Sequence, residues 1–152
     1  MRNPATITVS VAIEAPVGEV WEAVRRIESH VDWMADAESI SFTSAAREGV
    51  GVTFDCVTKV GPIRLTDRMA ITEWEAPRLI GVRHDGIVSG TGRFTLTPIP
   101  GEATEFAWTE QLAFPLRLGG PVTATLAAPV FKAIWRRNLR RLKRVVERGS
   151  TG

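Results

Sequence analysis

Residues 63–74 read IRLTDRMAITEW, and residues 104–114 read TEFAWTEQLAF. Both stretches alternate apolar and polar side chains with a period of two, which predicts strands with one buried face. Asp67 and Glu110 each fall on that apolar face. A carboxylate there is costly unless it is paired or borders a wet cavity. The two stretches therefore predict a hollow β-sheet, and a hollow sheet usually encloses a ligand.

Strand-like segments surround these two, from about residue 39 to residue 114. Turn signals such as Gly61-Pro62 and Ala76-Pro77 separate them. Short connections of this kind join hairpins, so we expect an antiparallel sheet. Trp74 breaks the alternation of its strand, which predicts a β-bulge near Thr72.

Helical periodicity flanks the strands. After a first strand at residues 7–13, Pro16 opens a short helix, and a second short helix is predicted at residues 31–34. Residues 121–148 form a long helix with a kink near Pro129. Its predicted buried stripe consists of Phe131, Trp135, Asn138, Leu142 and Val145. The sequence thus predicts an α+β fold in which the sheet wraps around the long C-terminal helix.

The bulk composition is that of an ordinary globular protein. The chain has 152 residues and a net charge of +2, and it contains one cysteine, which excludes an internal disulfide. We expect a single domain at residues 1–148 and a disordered tail at residues 149–152. The first residues lack the apolar core of a signal peptide, so we expect a cytoplasmic location.

Several short motifs, in this order and spacing, resemble those of the START-like helix-grip superfamily, also called SRPBCC, and its polyketide cyclase/dehydrase branch in particular. The motifs are Ile13-Glu14-Ala15-Pro16, Val20-Trp21, Trp33, residues 71–79 (ITEWEAPRL), Trp135 and residues 139–143 (LRRLK). The resemblance covers nearly the whole chain. It implies a seven-stranded antiparallel sheet around the C-terminal helix, two short helices after the first strand, and an internal cavity for an apolar ligand. It implies no single chemistry, and no catalytic residue follows from it.

The candidate catalytic residues are Asp67, Glu110 and His84. A buried carboxyl group or an imidazole can transfer protons near neutral pH. The alternatives for the carboxylates are a structural ion pair with an inward arginine and a strand end that is open to water. The direction of His84 depends on the strand register: if Ile80 and Val82 point inward, so does His84, and otherwise Arg83 enters the cavity. An exposed histidine at a strand end is the favoured alternative for His84.

A further set of residues is predicted to line the cavity and contact the ligand. These residues are Trp33, Phe54, Asp67, Met69, Phe94, Trp108, Glu110, Phe131, Trp135 and Asn138. Core packing is the alternative for the aromatic residues, and a bond to a neighbouring backbone group is the alternative for Asn138. Cys56 is expected to be a packed thiol, and His30 a helix cap or surface residue. No metal-ligand spacing is present, and no cofactor is predicted.

The C-terminal helix is strongly basic. Arg136, Arg140 and Arg144 recur every four residues and share one stripe. A solvated outer face is favoured over contact with nucleic acid or an anionic membrane, because basic and aromatic residues are not interleaved for base stacking. Reversing these three arginines to glutamate would test that contact. The sequence leaves open whether the protein forms a homodimer.

The sequence therefore predicts binding of a small hydrophobic or aromatic ligand, lipid- or polyketide-like. One alternative is a polyketide cyclase/dehydratase in which Asp67 or Glu110 removes a proton and Arg83 or Asn138 holds the oxyanion. Another is a regulatory protein that contacts an anionic partner through the basic helix.

Overall fold

A computed structural model describes residues 5–150, and within that range the chain forms seven strands, two α-helices and two short 3₁₀ helices. The strands are β1 (Ala5–Ile13), β2 (Ala37–Phe42), β3 (Thr53–Val60), β4 (Ile63–Glu75), β5 (Leu79–Asp85), β6 (Ser89–Ile99) and β7 (Ala103–Ala113). The helices are α1 (Val17–Val24), a 3₁₀ helix at Ile27–Asp32, another at Leu116–Leu118, and α2 (Gly120–Ser150).

The strands form one antiparallel sheet in the order β1-β7-β6-β5-β4-β3-β2. Consecutive strands from β2 to β7 pair as neighbours, as hairpin connections require. The predicted bulge near Thr72 is confirmed by a register shift between Ile71 and Glu73. The predicted fold class, a helix-grip α+β fold, is therefore confirmed.

α2 packs against β1 and β7, and α1 contacts β6 and β7. Between them lies an apolar core centred on Val20, Phe106, Trp135 and Leu142. A second apolar cluster under β3 and β4 contains Ile27, Phe54 and Ile71. The first cluster joins α2 to β1, β6 and β7, and the second packs the 3₁₀ helix at Ile27–Asp32 onto β3 and β4.

The helices differ from the predictions in detail. The predicted second short helix at 31–34 is a 3₁₀ helix that begins earlier, because its period of three places Ile27 and His30 on one buried face. On α2, Val145 is 48% exposed and Val146 is buried, so the predicted stripe is wrong by one residue at this position. Pro129 lies inside α2.

α2 also includes Gly149 and Ser150, the first two residues of the predicted tail. The other two, 151 and 152, lie outside the described residues. No helix within residues 5–150 is long and apolar enough to cross a bilayer.

Candidate functional site

A cavity of about 420 Å³ lies between the sheet and α2. Its wall is mostly apolar, with side chains from both core clusters. Ile63, Leu65, Ile87 and Val130 line it while also being exposed to solvent, so they mark its mouth. This volume falls within the range of small-molecule sites.

Asp67, His84 and Glu110 meet in the wall of this cavity. His84 Nδ1 lies 2.5 Å from Asp67 Oδ2, and His84 Nε2 lies 2.8 Å from Glu110 Oε2. The His84 side chain is 10% exposed and that of Glu110 is 6% exposed. We call these three residues the carboxylate–histidine cluster. Sequence alone left the direction of His84 open, and the structure shows that it points inward and not to the surface.

His84 holds a proton in this arrangement. Burial by itself would lower the pKa of the imidazole, but the hydrogen bonds and charges of Asp67 and Glu110 raise that pKa to about 10. Both ring nitrogens therefore donate to carboxylates at neutral pH. With two carboxylates around one imidazolium, the cluster carries a net negative charge.

Two neighbours fix the position of Glu110. The Trp108 indole Nε1–H donates to Glu110 Oε1 at 2.9 Å. On β6, the residue directly opposite Glu110 is Gly92, and a Cβ atom there would lie 2.5 Å from Glu110 Oε1. Because residue 92 has no side chain, the Glu110 carboxylate can occupy the space that a Cβ atom would take.

Two rings on α2 and two on or next to β7 form an aromatic wall beside the cluster. Stacked rings join Phe114 to Phe131, Phe131 to Trp135, and Trp135 to Trp108, with centroids 6.3, 5.5 and 4.8 Å apart. These four residues all line the cavity. The row of stacked rings makes this part of the wall apolar.

Most of the predicted ligand-contacting residues lie in this cavity. The lining includes Phe54, Met69, Phe94, Trp108, Phe131 and Trp135, together with Asp67 and Glu110. Two predicted residues do not line it. Trp33 is buried in the core against Phe94 and Phe106.

Asn138 is the second of these, and its side chain makes structural hydrogen bonds instead. It is fully buried, its amide nitrogen donates to Asp36 Oδ1 at 2.7 Å, and its Oδ1 accepts the Ala35 N–H at 3.0 Å. The alternative from sequence, a bond to a neighbouring backbone group, is the one observed. Asn138 ties α2 to the segment that precedes β2.

Replacing Asn138 with alanine is expected to lower the free energy of unfolding by about 1–3 kcal/mol, because buried partners lose their hydrogen bonds. Affinity for a cavity ligand should change little, since Asn138 lies outside the lining. Urea unfolding and a ligand titration check both statements, with the exposed neighbour Arg137→Ala as the control. A large loss of affinity without loss of stability would contradict the structural role.

His30 is a cavity residue that the sequence analysis assigned to a cap or the surface. It is buried and lines the cavity, and its Nε2–H donates to the Val24 carbonyl at the end of α1 at 2.7 Å. The cap interpretation is therefore correct, and the surface one is wrong. Burial lowers its pKa to about 4, so the ring is neutral. Its spacing of three from buried Ile27, the period of a 3₁₀ helix, is the signal that could have placed it.

Two other candidates have no catalytic setting. Cys56 lines the cavity, where burial raises the pKa of the thiol to about 11, so it is a packed thiol as expected. Arg83 points away from the cavity, is exposed, and pairs with Asp85 at 2.9 Å. The proposed Arg83 contact with an oxyanion is therefore excluded.

The basic stripe of α2 lies on the outside. Arg136, Arg140 and Arg144 are all exposed, whereas Lys143 pairs with Glu147 at 2.6 Å. Among residues 5–150 no grouping of side chains would hold a metal ion.

Comparison with known proteins gives a family and several similar folds. The family described as "Polyketide cyclase / dehydrase and lipid transport" matches residues 4–147. A protein from Thermus thermophilus has 19% identity and a TM-score of 0.78 over 96% of this chain and 99% of that chain. The Zhui aromatase/cyclase from Streptomyces sp. R1128 has 19% identity and a TM-score of 0.74 over 95% and 94%. A START superfamily protein from Mycobacterium smegmatis has 13% identity and a TM-score of 0.75 over 94% and 97%. No curated protein matches the chain.

Proposed function

Because the chain belongs to the polyketide cyclase/dehydrase and lipid transport family, we propose that it binds a small hydrophobic or aromatic molecule between the sheet and α2. The observation that carries this proposal is the cavity itself, with its row of stacked rings and the buried carboxylate–histidine cluster. A solid core would need neither the open volume nor the buried charges.

Apolar burial supplies most of the affinity in this proposal. Removing ligand surface from water contributes about 25 cal/mol per Å² before the costs of association. The cavity of about 420 Å³ suits a compact ligand of a few fused rings or a short chain. The carboxylate–histidine cluster fixes which end of that ligand points toward β5 and β7.

The cyclase/dehydratase alternative has one observation in its favour, which is that two carboxylates and an imidazole share one cavity. Such a cluster can transfer protons. However, neither Arg83 nor Asn138 can hold an oxyanion, because Arg83 faces outward and the Asn138 amide is engaged on both sides. Turnover of a poly-β-carbonyl substrate that survives both Asp67→Asn and Glu110→Gln would remove this alternative.

Native mass spectrometry of gently purified protein is the direct test of binding. We expect a bound small molecule to raise the mass of part of the sample. A sample that carries none, and that also fails to bind a neutral apolar probe, would overturn the proposal.

Filling the cavity from α2 should block that probe. Ala127 lines the cavity, so Ala127→Phe is expected to weaken binding of N-phenyl-1-naphthylamine by about tenfold or more, followed by its fluorescence. Ala133 is exposed on another face of α2 and does not line the cavity, which makes Ala133→Phe the matched control. Equal affinities for the two variants would place the probe outside the cavity.

A further inference from the structure

The side-chain N–H donors of His84, Trp108 and His30 are already in use, whereas the described residues provide no acceptor for the indole N–H of Trp135, which also lines the cavity. His84 donates from both ring nitrogens to Asp67 and Glu110, and the Trp108 indole donates to Glu110. The Nε2–H of His30 donates to the Val24 carbonyl. A ligand oxygen that needs a hydrogen bond therefore meets no uncommitted side-chain N–H at the carboxylate–histidine cluster or at His30.

Asp67 and His30 each keep an uncommitted acceptor. Asp67 Oδ1 is buried and has no hydrogen-bond partner among the described residues. Because the Nε2 of neutral His30 carries the proton, its Nδ1 keeps a lone pair, and the described residues provide no donor to it. A buried acceptor without a partner is unfavourable, and a ligand donor removes that penalty once the Asp67 side chain turns this oxygen from Gly86 toward the cavity.

The charge of the wall also favours ligands that carry a hydrogen-bond donor. Asp36, Asp67 and Glu110 line the cavity, and the imidazolium of His84 is their counterion there. Arg93 also belongs to the lining, but its guanidinium pairs with Glu73 at 2.8 and 2.9 Å and is exposed. The hydroxyl groups of Thr58 and Thr66 both donate and accept, so they favour neither kind of ligand.

We propose that the ligand presents a hydrogen-bond donor, a hydroxyl or amine group, to the carboxylate–histidine cluster or to His30, and that the cavity rejects carboxylates. This rests on the proposed binding function and specifies its ligand class. A carboxylate would bring a further negative charge next to Asp67 and Glu110, where the N–H groups of His84 and Trp108 are already committed. A molecule whose polar atoms only accept, such as a ketone or ether, would leave Asp67 Oδ1 and His30 Nδ1 unpaired.

The two positions that receive a donor lie apart along the sheet. His30 contacts the ring of Phe94, with centroids 5.6 Å apart, and Phe94 pairs with Ile80 on β5. His84 is four residues further along β5, or roughly 13 Å at 3.3 Å per residue. A ligand with one donor is expected to use one position, and an elongated ligand with two donors can use both.

Calorimetric titration of the purified protein at pH 7 with three matched naphthalenes tests the proposal. The probes are 2-naphthol, which donates, 2-methoxynaphthalene, which only accepts, and 2-naphthoate, which is an anion. We expect 2-naphthol to bind more tightly than each of the others by about tenfold or more. A fourth probe, 2-naphthylmethylamine, separates the amine class from the hydroxyl class.

The outcomes distinguish this proposal from the proposed function. If all the naphthalenes bind with similar affinity, or 2-naphthoate binds best, the proposed preference for hydrogen-bond donors is overturned, while the proposed ligand binding stands. If none binds, both fall. In Asp67→Asn the preference for 2-naphthol over 2-naphthoate should shrink to within about threefold, because the amide is neutral and also donates.

Asp55→Asn is the matched control. Asp55 lies on β3, the strand that pairs with the strand of Asp67, and it forms an ion pair with Arg68 at 3.8 Å. It does not line the cavity. It should keep the full preference. If Asp67→Asn does not fold, the ranking of the probes on the unaltered protein decides the proposal alone.

Discussion

Replacing His84 with alanine is expected to lower the free energy of unfolding at pH 7 by about 3–5 kcal/mol. The substitution removes the cation that lies 2.5 Å from Asp67 and 2.8 Å from Glu110. Two carboxylates would then share an apolar wall without a counterion, and the loss of one partner from a buried ion pair has a cost of this size. Urea unfolding followed by tryptophan fluorescence measures it.

Two controls separate the charge from the lost ring. Arg83→Ala removes the neighbouring residue and its exposed pair with Asp85, and it should leave the unfolding midpoint nearly unchanged. In an Asp67→Asn, Glu110→Gln background, His84→Ala should cost far less, because no buried carboxylate remains without a partner. A loss below about 1 kcal/mol in the unaltered background would mean that water solvates the two carboxylates.

The alternation of the strands was enough to predict the sheet and the inward direction of Asp67 and Glu110. Alternating burial is a local property of a strand. Around Glu110, it is visible in the apolar residues Trp108 and Leu112, which lie two positions away on either side and are buried. The bulge was readable for the same reason, since Trp74 falls out of phase with Ile71. The order of the motifs then fixed how the helices cover the sheet.

The direction of His84 was not readable, because β5 is apolar at consecutive positions and its register depends on the turn and on the bulge in β4. Met69 pairs directly with His84, so the two share a face, but that pairing follows only once the bulge has absorbed one residue. The role of Asn138 was hidden for another reason: its partners, Ala35 and Asp36, lie about 100 positions away in sequence. Long-range polar contacts leave no periodic signal.

The stability of the protein is expected to depend on pH through His84. Its pKa is about 10 in the folded state against 6.5 as the ordinary value, so unfolding releases a proton above pH 6.5. The stabilisation is complete below pH 6.5 and is lost as the pH rises through 10. The loss between pH 6.5 and 8.5 should be about 2 kcal/mol, from a slope that approaches 1.4 kcal/mol per pH unit.

Urea unfolding at intervals of half a pH unit measures this loss of stability on the alkaline side, and His84→Gln should make the stability nearly independent of pH there. Burial raises the pKa of Cys56 from 9.0 to about 11, so this thiol changes the pH dependence of stability only above pH 9. The loss of stability between pH 6.5 and 8.5 is therefore due to His84. His30 acts in the opposite direction, since its pKa is lowered to about 4 and its stabilisation is lost as the pH falls from 6.5 through 4. Stability should therefore peak near pH 6.5, and His30→Gln should weaken only the acidic limb. A flat profile from pH 6.5 to 8.5 in the unaltered protein would show that His84 gives up its proton as readily when folded as when unfolded.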